Sequence, residues 1–443
     1  MDRDAAPCLG CSEAAVFGKT IGVFSWFSLW VAGYKRGLFY QRGARLLTTV
    51  GRWPVPLVLV LLLGASLGAC TSPAGGATTS ASATTATTAP QTTTTAPQTT
   101  TTAPQTATTD AAPSPPLYPI TVGGKRGYMD RAGNVVVKPQ FVDAGAFSEG
   151  LAFVAVESMG SQKYGYIDST GRMAIEPQFS NALDFSEGLA VVEVGGKSGF
   201  VDKQGVLVIK PQYRSADPFR DGLAVVEVGA GEDAKYGYID HEGKLAIPAE
   251  YVTASDFSEG LGLVATTVAD GTKKSGFIDK EGRWVIQPTF DYALPFSEGL
   301  AAVMVKTAGG MEVEYLDTKG SRVIDLGVRA GDDPQPFGDI SFSEGLAPAW
   351  LDGKWGYIDK TGAVVIQPRF ASADRFSEGL AFVTHGIDNS TGGYIDKTGA
   401  YVIQPRYLYC WAFSGGLALI VVQDQAGVTQ GYIDKTGKKV GPW

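Results

Sequence analysis

The sequence predicts an all-β fold: a tandem array of nine three-stranded β-meander repeats. Three observations lead there. The block Phe-Ser-Glu-Gly-Leu-Ala, or a near copy, begins at Phe147, Phe185, Phe219, Phe257, Phe296, Phe342, Phe376 and Phe413. The hairpin signature Asp-x-x-Gly begins at Asp130, Asp168, Asp202, Asp240, Asp279, Asp317, Asp359, Asp396 and Asp434. Between them, apolar and polar residues alternate as they do in half-buried strands. The 57 glycines fit many short strands joined by tight turns.

Each unit reads as three strands. Leu-Ala-x-Val-x-Val is the first and Gly-Tyr-Ile-Asp the second. Val-Val-Ile, ending at a proline that cannot donate to a ladder, is the third. Asp-Lys-Thr-Gly between the last two is turn chemistry: the aspartate accepts from backbone amides and the glycine takes a positive φ. Phe-Ser-Glu-Gly supplies a buried aromatic and a turn before the next unit. Leu117–Val122 precedes Gly127 by ten residues, as Leu189–Val194 precedes Gly199. Nine meanders are therefore joined by eight linkers, and units of this kind bury their faces by stacking. Propellers usually have four to eight blades of four strands, so nine three-stranded units favour an open, solenoid-like superhelix over a β-propeller.

Three domains follow. Residues 1–69 are a leader and signal, in which 1–44 reads as the product of a start placed too early. Residues 70–116 are an anchor and a tether, and 117–443 the repeat domain. Arg45 and Arg52 precede the apolar run Val55–Gly64, and small residues follow it, as in a secretory signal. The run closes on Leu67-Gly68-Ala69-Cys70, which resembles the lipobox of bacterial lipoproteins. That resemblance implies cleavage before Cys70, a lipid on its sulfur and an extracytoplasmic protein anchored to the bacterial cell membrane. Thr71–Pro116 is nearly all Thr, Ala, Pro, Ser and Gln, a composition expected to stay disordered.

Charge and residue counts exclude several function classes. The net charge is -8. Residues 1–69 carry seven basic and three acidic residues, or +4, which leaves -12 for the rest. An acidic body disfavours nucleic acid as a partner. The two histidines, His241 and His385, occupy inequivalent repeat positions, so neither a His-based triad nor a His-rich metal site is expected. The hairpin aspartates and the block acids read as turn caps, not as a metal ring or a catalytic carboxylate pair. Cys410 takes a position filled elsewhere by Ala144, Ala182, Ala216, Ala254, Ala293 and Ala373, so it reads as a small buried hydrophobe. No cofactor, no metal and no catalytic residue is expected, and the chain reads as a monomer.

The unit resembles the WG-repeat (KWG) family of bacterial proteins. Lys354-Trp355-Gly356-Tyr357-Ile358-Asp359 matches its signature literally. Elsewhere the tryptophan position holds Arg126, Tyr164, Ser198, Tyr236, Ser275, Gly392 or Gln430. The resemblance covers residues 117–443 and implies a surface or secreted repeat module, with no catalytic residues to carry over.

The sixth unit is irregular. Glu314 replaces the usual glycine, the third strand lacks its proline, and a longer linker holds Asp332, Asp333 and Asp339. Trp350 and Trp355 follow closely. Polar groups beside aromatic rings suit a ligand such as a sugar, so Trp350, Trp355, Asp332 and Asp333 are the candidate binding residues. The expected function is a non-enzymatic binding or scaffolding module for a protein or glycan, held at the membrane by its lipid. The alternatives are a glycan-active enzyme using acids of the sixth repeat, and a purely structural envelope protein.

Overall fold

The computed structural model describes residues 116–443, apart from residue 159 and residues 330–337, 386–390 and 425–426. Cys70, the leader, the tether, Asp332 and Asp333 lie outside the described residues.

The unit folds as a meander with one addition. Leu189–Val194, Lys197–Asp202 and Leu207–Tyr213 pair antiparallel, and a two-residue strand, Asn181–Ala182, lies along the free edge of the first. Among the described residues there are nine such sheets, numbered here as blades 1 to 9 in chain order. Blade 1 (Tyr118–Val122, Lys125–Met129, Val135–Phe141) and blade 7 (Leu346–Leu351, Lys354–Asp359, Val364–Phe370) have three strands, and the other seven have four. The extra strand comes from residues that the sequence pattern assigns to a linker. It is too short to show an alternation of its own.

The core uses two repeat positions over and over. Most of the largest fully buried side chains are either the aromatic of the second strand (Tyr128, Tyr166, Phe200, Tyr238, Phe277, Tyr315, Tyr357, Tyr394) or a block phenylalanine (among them Phe185, Phe219, Phe296 and Phe342). The two positions meet across blades. Tyr166 of blade 2 lies 4.8 Å from Phe185 of blade 3, and its phenol donates to the Leu183 carbonyl at 2.8 Å. Tyr357 repeats this with Phe376 (4.9 Å) and the Asp374 carbonyl (2.8 Å). Such a ring pair adds about 0.5–1.5 kcal/mol beyond its burial, and the hydrogen bond about 1 kcal/mol. In six of the eight blocks the serine donates to the phenylalanine carbonyl of the next block, as in Ser148 to Phe185 (2.6 Å) and Ser377 to Phe413 (2.8 Å). The blocks therefore mark the side on which blades converge. The third strands, with Val136, Val208 and Val365 about half exposed at 45%, 45% and 46%, lie where they diverge.

The same contacts close the array, which corrects the expectation of an open superhelix. Tyr432 of blade 9 donates to the Pro119 carbonyl of blade 1 at 3.0 Å, and its ring meets Tyr118 edge-on at 5.6 Å. Tyr118, Ile120 and Met129 share one apolar cluster with Leu417 and Tyr432. The sheets form a nine-bladed β-propeller. Blades 1 and 9 share no strand, so the closing joint rests on side chains that pack together and bond to the backbone opposite. The usual limit of eight blades misleads here because the blades are thin: blades 1 and 7 have three strands, and in six of the others the fourth strand is only two residues long. The terminal units also close the ring without merging.

Candidate functional site

Symmetric acids come first, because repetition places them everywhere. Each hairpin aspartate caps its own turn. Asp168 Oδ1 accepts from the Thr170 amide (2.9 Å), the Thr170 hydroxyl (2.6 Å) and the Arg172 amide (3.1 Å). Asp359 and Asp396 repeat this set. The threonine hydroxyl in particular holds these three carboxyls below the usual carboxylate range.

The block acids do something the sequence does not announce. Ser148 and Leu151 exchange both backbone hydrogen bonds across Glu149-Gly150, a two-residue hairpin with both central φ positive (51° and 89°). That is the type I′ geometry, which normally favours Asn-Gly. Six further acids, Glu187, Asp221, Glu259, Glu298, Glu344 and Glu378, hold φ of 52–55°. A left-handed non-glycine residue is strained by about 1 kcal/mol or more. The offset lies in the next blade. Glu344 accepts from the Gly379 amide (3.0 Å) and pairs with Lys397 (3.1 Å). Glu149 does the same with Gly188 and Lys203 (3.1 and 3.2 Å), and Glu378 with Gly416 and Lys435 (2.9 and 3.1 Å). His241 lies in the cation position beside Glu187 (3.3 Å) and stacks on Phe219. These acids clasp neighbouring blades; they do not cap their own turns.

Two buried carboxyls also escape the sequence reading. Asp184 and Asp256 each stand one residue before a block phenylalanine. Asp256 pairs with Arg220 at 2.9 Å, where Arg220 replaces the block serine. Burial pushes the Asp184 carboxyl up to about 6, and its Oδ1 has no hydrogen-bond partner among the described residues.

Blade 6 explains its two irregularities as one. In regular units the signature glycine lies under the third strand just before its proline. A Cβ on Gly356 would come within 2.5 Å of the Ile366 carbonyl oxygen. In blade 6 the third strand (Arg322–Arg329) has no proline, and Glu314 pairs with Asp325 in the ladder. With no proline crossing above it, the position takes a side chain. Ligand oxygens of Glu312, Glu314 and Asp325 lie within 4.8 Å of one another. Arg322 Nη1 sits among them, 2.6 Å from Glu314 and 3.1 Å from Asp325. The cluster holds a guanidinium, and a hard cation would have to displace it.

Of the candidate binding residues, Trp350 and Trp355 are brought together as a cross-strand pair, edge to face at 5.6 Å. Trp355 is 5% exposed and belongs to the apolar core of blades 6 to 8, while Trp350 is half-buried against it. Asp339, on the same linker as Asp332 and Asp333, pairs with Arg375 at 2.8 Å. Cys410 is buried.

Seven stretches, residues 127–158, 164–197, 199–230, 236–265, 276–306, 355–386 and 393–424, match the family described as WG containing repeat, together just over half of the chain. The chain belongs to the WG-containing repeat family. The matched WG repeats pass over residues 307–354, where the second and third strands of blade 6 lie. No curated protein matches the sequence. Among solved structures, the dipeptidyl peptidase 4 of Porphyromonas gingivalis is similar at 9% identity, over 69% of this chain and 63% of that one, with a TM-score of 0.45. The WG-repeat chain thus spans less than two thirds of the peptidase. An uncharacterized Listeria monocytogenes protein (10% identity, 58% of this chain, 91% of that one, TM-score 0.35) and Kluyvelomyces marxianus Hsv2 (10%, 64%, 94%, 0.31) are also similar. Scores this low carry no argument about function.

Proposed function

We propose that this WG-repeat propeller is a non-enzymatic binding or scaffolding module, displayed outside the cell from a lipid on Cys70. One observation carries the reading: the buried aromatic positions repeat from blade to blade, while the largest departure from the repeat falls on blade 6. A closed ring with one altered blade suits recognition, because the altered groups are framed by repeated packing on either side. The ligand face is blades 6 and 7, with the half-buried ring of Trp350 as its apolar surface and Asp332 and Asp333, which precede it in the sequence, as its polar groups. A half-buried tryptophan supplies a flat apolar surface of the kind sugars stack on. Cys70 and the Thr/Pro tether, whose 46 residues reach on the order of 140 Å when extended, project the ring from the membrane.

A glycan and envelope-protein binding screen with the full chain tests this. Capture lost in Trp350→Ala supports the site. Capture unchanged in Trp350→Ala and in the double variant Asp332→Asn/Asp333→Asn removes it. Substrate turnover that disappears with Asp332→Asn would make the protein an enzyme instead. Labelling by a palmitate analogue should be abolished in Cys70→Ser.

A further inference from the structure

The joint between blades 9 and 1 is built differently from the other clasped joints. At seven junctions an acid with positive φ reaches the next blade's glycine amide. At five of them the second residue of the next hairpin brings a cation to the same carboxylate: Lys203, His241, Lys360, Lys397 and Lys435, at 3.1–3.3 Å. At the closing joint the acid is gone, because Gly415 stands in its place. Tyr118 fills the space a side chain there would need, and its hydroxyl donates to the Gly415 carbonyl at 2.7 Å. The donor is gone as well, because Pro116, which has no N–H, stands where the other blades carry the block glycine. The cation remains. Arg131 occupies the second position of the first hairpin and lies against Gly416. It has no ion pair among the described residues.

The contrast with the next junction is informative. Between blades 1 and 2 the acid position is Pro115 and the cation position is Ser169, so both halves of the clasp are absent together. Only the closing joint keeps the cation without its acid. Arg131 borders a groove of about 490 Å³ that is also lined by Lys435, Lys438 and Lys439. Lys435 is committed to Glu378, and Lys439 lies 3.8 Å over the Trp443 ring. The lining has one acid, Asp434, whose Oδ1 is taken by the Thr436 and Lys438 amides and the Thr436 hydroxyl of its own turn. A basic groove on an otherwise acidic body concentrates anions.

We propose that this groove is a receptor for a carboxylate supplied from outside the ring by an acidic peptide segment, with Arg131 as its main contact and Lys438 as support. The sister junctions show the complex that forms: a carboxylate held by the hairpin cation of the following blade. Arginine suits an incoming ligand better than lysine, since its planar fork takes both carboxylate oxygens. The site is separate from the face proposed on blades 6 and 7, and neither depends on the other.

Calorimetric titration of the full chain with capped hexaglutamate tests it, with inorganic phosphate as competitor. Saturable binding is expected, weakened by salt and by at least about tenfold in Arg131→Gln, the loss typical of a charge-assisted hydrogen bond. Lys203→Gln, which alters a clasp already filled by Glu149, should bind as the parent does, and thermal melts should show both variants folded. No saturable heat, or equal binding in the two variants, overturns the proposal. So does phosphate that displaces hexaglutamate at equal or lower concentration, because the groove would then select phosphate over carboxylate.

Discussion

The junction between blades 7 and 8 and the joint between blades 9 and 1 perform one mechanical task with different parts. The first packs Tyr357 against Phe376 and adds the acid clasp of Glu344 to Gly379 and Lys397. The second replaces the phenylalanine by Tyr118 and omits the acid. Aromatic packing is thus the part every joint needs. The clasp is an addition made where two successive blocks exist, and the closing joint, with a block on one side only, makes do without it.

Breaking the aromatic pair should have the largest effect. Tyr357→Ala is expected to lower the unfolding free energy by roughly 3–5 kcal/mol, read by denaturant titration. Tyr432→Ala at the closing joint should lower it less and should expose blades 1 and 9 to limited proteolysis before the rest. Cleavage spread evenly over the ring would contradict the joint's special status. Next comes Gly356→Ala, which pushes a methyl group into the crossing strand and should cost about 3 kcal/mol. Glu314→Ala, at a position that already takes a side chain because the adjoining strand has no proline, should change stability by less than about 1 kcal/mol.

Asp184 gives a pH signature. Its carboxyl keeps a proton up to about 6 in the folded ring, whereas the unfolded chain loses it near pH 4. The folded state therefore binds more protons between those values. Stability should fall as pH rises from about 4 to about 6 and stay low above. Asp184→Asn should flatten that slope and raise stability at pH 7 by roughly 1–3 kcal/mol, measured by thermal melts across the range. The smallest effect belongs to a single clasp. Glu344→Gln keeps an acceptor for Gly379 but loses the pair with Lys397, and about 0.5–1 kcal/mol is expected, shrinking in high salt.

Much of this fold is readable in the sequence, and the unread part has physical reasons. The meanders, the turns and the count of nine follow from residues spaced along one chain. Closure depends on Tyr432 reaching Pro119 across 313 positions, which no local period encodes. Yet the trace is there: Gly415, the block position that lacks its acid, marks the end of the ring, and Pro116 marks its start. The short fourth strand also left a sign, since Ala144, Ala182, Ala216, Ala373 and Cys410 are its buried small residues. Repetition showed the block acids plainly but not their partners, of which the glycine amides lie 35 to 47 residues ahead in the next blade. In the irregular unit, Glu314 and the missing proline look like two lapses in sequence and prove to be one rearrangement. Trp350 and Trp355 were recognisable as neighbours, but their burial was not, because a strand's inward face is set by the blades beside it.

The claim that the nine units close into a ring is tested most directly by a distance. Spin labels at Thr121→Cys and Gln430→Cys, in a chain whose native cysteines are replaced, sit where the two side chains meet at 3.3 Å. A closed propeller predicts a single short label-to-label distance that lengthens only on unfolding. A long or broad distribution in the folded protein would contradict it and restore the open array.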